Sequence, residues 1–248
     1  MTEPFRPSAA CCSTPAIIGE PSSHQGSFIK VDSMQIYASG PKDSSKAIFI
    51  IYDVFGFSSQ ILEGADMLAA QGYRVFMPGF FGKSPAPLSW MPLDGPEQED
   101  KLDEFCEGPG NTGETLTKTE HLRQELQELE PSIRKWGLIG YCWGGYVAAY
   151  AVGETAPFSV CVQLHPGFPS SEIAGKVSVP LLALCSKDEP ESYYKDFKTA
   201  LRVENRFEVF PEMVHGWLAA RGDLAKPIVR EQFNQGYQMV IKWMQGHL

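Results

Sequence analysis

The chain reads as an α/β protein: a mostly parallel central sheet with helices on both faces. Two observations carry that reading. Apolar runs of strand length alternate with helical periodicities along most of the 248 residues, as they do when strands and helices are wound one after another around a shared sheet. Runs such as KAIFIIYDVFGF stay apolar without alternating, as strands buried on both faces do.

The elements follow in order. GSFIKVDSMQIYASG sets Phe28, Lys30 and Asp32 against Ile29 and Val31 and then repeats the habit, which predicts a hairpin. After the apolar run from Lys46, SSQILEGADMLAAQGY places Ile61, Ala65 and Leu68 on one helical face, with serines as N-caps and Gly72 as the stop. RVFMPGFF returns as a strand. From Lys83 to about Thr112 prolines and acidic residues break every period, and a stretch of that length reads as a lid or functional loop. Order resumes with TLTKTEHLRQELQELEP, whose Leu122, Leu126 and Leu129 recur at helical spacing before Pro131. KWGLIGYC, PFSVCVQLHPG, VPLLALCSKDE and RFEVF are strands, separated by the helices WGGYVAAYAVG, SSEIAGKV and SYYKDFKTALRVE. PIVREQFNQGYQMVIKWMQGHL closes the chain as a helix, with Val229, Phe233, Val240 and Met244 inward. Residues 1–25 form an N-terminal extension, and 26–248 a single domain with no Ser/Gly-rich linker to divide it.

Bulk properties narrow the function. A composition 43% hydrophobic and 21% charged suits a globular core. The net charge of −9 argues against a nucleic-acid or anionic-membrane partner, which needs clustered Lys and Arg. No run approaches the ~20 apolar residues of a membrane span, and the N-terminus lacks a signal core; a cytoplasmic protein acting on a small molecule is expected. Six cysteines, at 11, 12, 106, 142, 161 and 185, lack zinc or disulfide spacing and read as reduced thiols. Cys161 and Cys185 sit inside strands as small hydrophobes, and Cys11 and Cys12 in the tail. The five histidines are dispersed without helical pairing, Gly82-Lys83-Ser84 lacks the rest of a phosphate loop, and no dinucleotide fingerprint is present. Neither a metal nor a cofactor is expected.

In sheets of this kind reactive groups gather beyond the carboxyl ends of the strands. The residues there are Asp53, Gly79, Cys142, His165, Asp188 and His215. A nucleophile, an acid and a base stand among them, in the chain order nucleophile, carboxylate, histidine of the α/β-hydrolase fold. Gly140-Tyr141-Cys142-Trp143-Gly144 fits the nucleophile elbow G-x-S-x-G with cysteine for serine. The elbow holds its nucleophile on a strained turn, so the positions two before and two after must lack side chains. The helix starting at Trp143 turns the positive end of its dipole to the same point.

With YDVFGF, GYCWGG, SKDE and HGW, the chain from about Gly26 onward closely resembles the dienelactone hydrolase family. The resemblance implies Cys142 as nucleophile, His215 as general base and then acid, and Asp188 as the group fixing its tautomer. It also implies an oxyanion hole from the N–H groups of Val54 and Trp143. Where the family usually carries a glutamate that quiets the resting thiol, this chain has Asp53, one methylene shorter. Family substrates carry a carboxylate, for which Lys83 and Arg221 are the candidate cations, each of which reads equally as a solvated surface charge; Trp90, Trp143 and Trp217 read as apolar pocket walls or as aromatic core, and His165 as a rim or structural residue.

The thiol constrains the substrate. Thiolate leaves a tetrahedral intermediate more readily than alkoxide does, so an alkyl ester reverts, whereas an enol oxygen competes. An enol lactone or other activated ester is expected, through a thioester acyl-enzyme. The alternatives are a broader esterase or thioesterase, and a noncatalytic binding or biosynthetic accessory protein that kept the scaffold.

Overall fold

The computed structural model describes residues 2–7, 14–17, 24–93 and 95–248; Cys11 and Cys12 lie outside them. Eight strands form one sheet: β1 (Ser27–Val31), β2 (Met34–Ser39), β3 (Lys46–Ile51), β4 (Arg74–Pro78), β5 (Lys135–Tyr141), β6 (Val160–Leu164), β7 (Leu181–Ser186) and β8 (Asn205–Phe210). Their spatial order is β1-β2-β4-β3-β5-β6-β7-β8. The β1–β2 hairpin is antiparallel and adds to β4 antiparallel, while every pairing from β4 to β8 is parallel. The helices are α1 (Ser59–Ala69), α2 (Pro96–Glu107), α3 (Thr112–Leu129), α4 (Trp143–Ala151), the short α5 (Ser171–Ala174), α6 (Glu191–Ala200) and α7 (Pro227–His247).

Local chemistry sets the boundaries. Ser58 caps α1, its hydroxyl accepting from the Ile61 N–H at 3.4 Å, and Ile61, Ala65 and Leu68 face the sheet fully buried. The chain leaves that helix through Gly72 at φ +89°, a conformation other residues adopt only with strain. Asn111 caps α3 by accepting from the Glu114 N–H at 3.0 Å, so the helix starts earlier than the periodic leucines imply. Leu122 and Leu126 are buried there, but Leu129 is 61% exposed.

The segment from Lys83 to Thr112 is more ordered than its prolines suggest. It holds a 3-10 turn at Leu88–Trp90 and the whole of α2. Pro96 occupies the first turn of α2, where a missing N–H costs nothing, and Leu102, Phe105 and Cys106 bury its inner face. Phe105 meets Phe81 edge-on at 4.9 Å, and the Trp143 indole donates to the Gly110 carbonyl at 2.8 Å. The segment is therefore packed onto the elbow helix.

Parts of the N-terminal extension also dock. Phe5 is 3% exposed, edge-on to Tyr146 at 5.3 Å, and occupies the space a side chain at Gly167 would need. Further along, the Ile17 N–H donates to the Ala220 carbonyl at 2.7 Å. On the far flank, Arg74 forks onto Glu130 with both partners nearly buried, and its other arm donates to the Gly40 carbonyl. His121 pairs with Asp32 at 2.6 Å on the exposed surface, pinning the β1–β2 turn to α3. With Glu125 these two form a group whose ligand atoms lie within 4.8 Å of one another. Among the described residues, no helix is long and apolar enough to cross a membrane.

Candidate active site

The parallel register brings the sequence-predicted residues to one edge. Ile51 of β3 pairs with Gly140 of β5, so Asp53 and Cys142 each emerge two residues beyond. Tyr141 pairs with Leu164 of β6, which sets Cys142 beside His165. Leu164 pairs with Leu184 of β7, and Ser186 with Phe210 of β8; the loops bearing Asp188 and His215 open at the same end.

Cys142 stands at φ +51° as the N-cap of α4, a backbone state costly for any residue with a β-carbon. The glycines around it show why the strain persists. A β-carbon on Gly140 would lie 2.1 Å from the Gly144 carbonyl oxygen, and one on Gly144 would lie 2.1 Å from that of Ile51. Strand and helix touch backbone to backbone, and the cysteine takes the remaining conformation. The Cys142 N–H donates to the Leu164 carbonyl at 3.0 Å, and its own carbonyl accepts from Gly145, Tyr146 and Gly167. The residue is 1% exposed and forms no disulfide.

His215 is 2% exposed and is held twice. Its backbone N–H donates to Asp188 Oδ2 at 2.8 Å, and its Nδ1 lies 2.6 Å from Oε1 of Glu189. The second contact corrects the sequence reading: Glu189, not Asp188, stands against the ring. Glu189 is fully buried, and its other oxygen accepts from the Ser186 N–H at 2.7 Å. A turn closed by the Glu189 N–H on the Ser186 carbonyl folds this carboxylate inward, leaving Asp188 partly exposed to brace the histidine loop. Since a carboxylate only accepts, Nδ1 carries the proton and Nε2 is the imidazole's basic atom when the ring is neutral. Spacing offers no clue here, because the two acids are adjacent after one strand.

Asp53 is 2% exposed, and its Oδ1 accepts from the Phe55 N–H at 2.9 Å. It thereby shapes the turn that presents Val54. Its charge is felt at the elbow: burial pushes the Tyr141 phenol above its ordinary range, and Asp53 adds to that push. Burial likewise raises the thiols of Cys161 and Cys185, which leaves them poor nucleophiles.

The two candidate substrate cations differ in setting. Lys83 is exposed. Arg221 is 4% exposed, donates Nε to the Thr14 carbonyl at 2.6 Å and stacks over Phe55 at 5.2 Å, so it joins the N-terminal segment to the turn after β3. Trp217 is core, packed on Phe210 at 4.5 Å. Trp143 is also fully buried, against Phe81 at 4.9 Å. Trp90 is partly buried, 6.3 Å from Phe105. His165, read as a rim or structural residue, is fully buried at φ +38° with its ring edge-on to His215 at 5.1 Å. The sequence reading set it at the same edge of the sheet, but strand pairing, not proximity along the chain, creates its contact with the His215 ring.

Residues 34–248 match the model of the dienelactone hydrolase family. An uncharacterised AIM2 family protein of Schizosaccharomyces pombe is 33% identical over 215 residues, covering 85% of this chain and 86% of that protein. The hydrolase pyvD of Aspergillus violaceofuscus is 29% identical over 90% of this chain and 91% of its own. A dienelactone hydrolase from Anabaena variabilis superposes with a TM-score of 0.69 at 14% identity, over 91% of this chain and all of that one, a likeness of fold.

Proposed function

The chain belongs to the dienelactone hydrolase family and is a carboxylic ester hydrolase, and from that premise we propose that it works through Cys142, His215 and Glu189 on an enol lactone or similarly activated ester. The observation that carries this reading is the strained elbow at Cys142, wedged between Gly140 and Gly144. The buried carboxylate-bound imidazole on the neighbouring loop supports it.

In the proposed cycle His215 Nε2 takes the Sγ proton and the thiolate attacks the carbonyl carbon. The carbonyl electron pair moves onto oxygen, where the N–H groups of Val54 and Trp143 receive it; the latter opens α4, whose first N–H groups have no acceptor within the helix. The intermediate collapses by breaking the bond to the enol oxygen, which takes the proton from His215. Water then attacks the thioester with His215 as base, and Cys142 departs, its sulfur recovering the proton from His215. Glu189 holds the imidazolium that forms twice per turnover. Asp188 acts through the backbone of His215, and Asp53 acts by fixing the oxyanion turn and setting the field around the resting thiol.

The test is Cys142→Ser against Cys142→Ala on a paired panel. Serine should keep some turnover of p-nitrophenyl esters while losing most of its activity on enol lactones, and alanine should lose both. Equal loss on both substrates in the serine variant would contradict the leaving-group argument, and turnover surviving Cys142→Ala would remove Cys142 from the reaction. A cytosolic setting belongs to the same proposal, supported by the buried Cys106, Cys142, Cys161 and Cys185 forming no disulfide.

A further inference from the structure

We propose that the cavity beside the turn after β3 takes an uncharged, apolar acyl arm of the substrate, and that Ile17 from the N-terminal segment sets its depth. This rests on the reading above, in which the carbonyl oxygen sits on the Val54 N–H. Phe55, the next residue, is a wall of the cavity. Because His215 must protonate the departing oxygen, the leaving arm lies on its side. The acyl arm then runs toward the turns after β3 and β4, whose Phe55 and Ala86 line the cavity and are joined where the Ala86 N–H donates to the Val54 carbonyl at 2.9 Å.

The chemistry of the walls is one-sided. Phe55, Phe57, Leu88 and Ile17 supply apolar surface, and no Asp, Glu, Lys or Arg lines the cavity among the described residues. Its polar groups have partners: Ser58 caps α1, and the buried Gln60 amide donates to the Gly222 carbonyl at 2.9 Å. Arg221, the cation expected for a substrate carboxylate, does not line it and is tied to Thr14. An anionic arm would enter here unpaired, which is heavily penalised, whereas a hydrocarbon arm gains by leaving water. The volume of about 340 Å³, at the ~30 Å³ a water occupies in the liquid, holds roughly ten non-hydrogen atoms, a six- to eight-carbon chain or an aryl ring.

Ile17 reaches the cavity because its N–H is bonded to Ala220, in the loop that follows His215. The extension therefore contributes to specificity, and it does so from outside residues 34–248.

The experiment uses the full-length protein and p-nitrophenyl esters from acetate to octanoate, with a monosuccinyl ester as the anionic probe. At roughly fourfold per buried methylene as an upper figure, kcat/KM should rise at least ~10-fold from acetate to hexanoate, and the succinyl ester should fall below the uncharged ester of equal length. Ile17→Trp, which fills the cavity, and Leu88→Asp, which charges it, should each bring the hexanoate-to-acetate ratio toward one. A flat wild-type profile, a ratio unchanged in both variants, or a preference for the succinyl ester would overturn the proposal. Cys142→Ala run on the same panel keeps the two readings apart: retained turnover there strikes at the nucleophile alone, since the chain-length ratio reports the cavity whichever group attacks.

Discussion

Replacing Glu189 by glutamine and, separately, Asp188 by asparagine tests which carboxylate serves the imidazole. Both Glu189 oxygens face donors, the His215 Nδ1–H at 2.6 Å and the Ser186 N–H at 2.7 Å. An amide has a single oxygen. If that oxygen keeps Ser186, the NH2 group meets Nδ1 and forces the ring proton to Nε2, which then cannot accept from the thiol. Turned the other way, the NH2 group is pressed against the Ser186 N–H in a site from which water is excluded. Loss of the correct tautomer in a nucleophile–His–carboxylate triad costs roughly 10⁴ in rate, or about 5.4 kcal/mol at 1.36 per decade. Asp188 instead accepts a backbone N–H, and an asparagine oxygen can accept it as well, so Asp188→Asn should cost less than about tenfold. The assay is kcat/KM on an activated ester, with thermal melting to confirm that both variants fold. If Asp188→Asn is the more damaging change, or if folded Glu189→Gln stays within tenfold of the parent, the assignment of Glu189 is wrong.

Three further outcomes follow from the same coordinates. Gly144→Ala drives a β-carbon into the backbone oxygens of Ile51 and Tyr52 at 2.1 and 2.5 Å; no rotamer relieves this, so at least ~3 kcal/mol should be lost. At about 2–4 °C per kcal/mol, a melting point within 2 °C of the parent would refute the close packing. In a Cys11→Ser, Cys12→Ser background at pH 8, iodoacetamide should label Cys142 and spare Cys161 and Cys185, whose burial keeps them protonated; peptide mass mapping that finds those two modified in native protein would contradict it. Glu130→Gln removes the charge from a nearly buried fork on Arg74 and should cost about 2–4 kcal/mol, read by urea unfolding, where no shift in midpoint would mean the pair contributes nothing.

The strand order along the chain, the elbow geometry and the placement of Cys142 and His215 at one edge of the sheet were legible in the sequence, because each is a local property: apolar runs declare buried strands, and only glycine tolerates the approach that brings strand to helix at residues 140 and 144. What the linear pattern could not supply was any choice made across the sheet. Asp188 and Glu189 are neighbours in sequence, and only the turn closing on Ser186 decides which one enters the core. The contact of Arg221 with the Thr14 carbonyl spans some 200 residues of chain. His165 meets His215 because β6, β7 and β8 lie side by side. Sequence thus determined most of the secondary elements and the candidate reactive residues, which depend on near neighbours, while tertiary structure decided which groups those residues meet, since burial and hydrogen bonding are set by segments that meet only once the chain is folded.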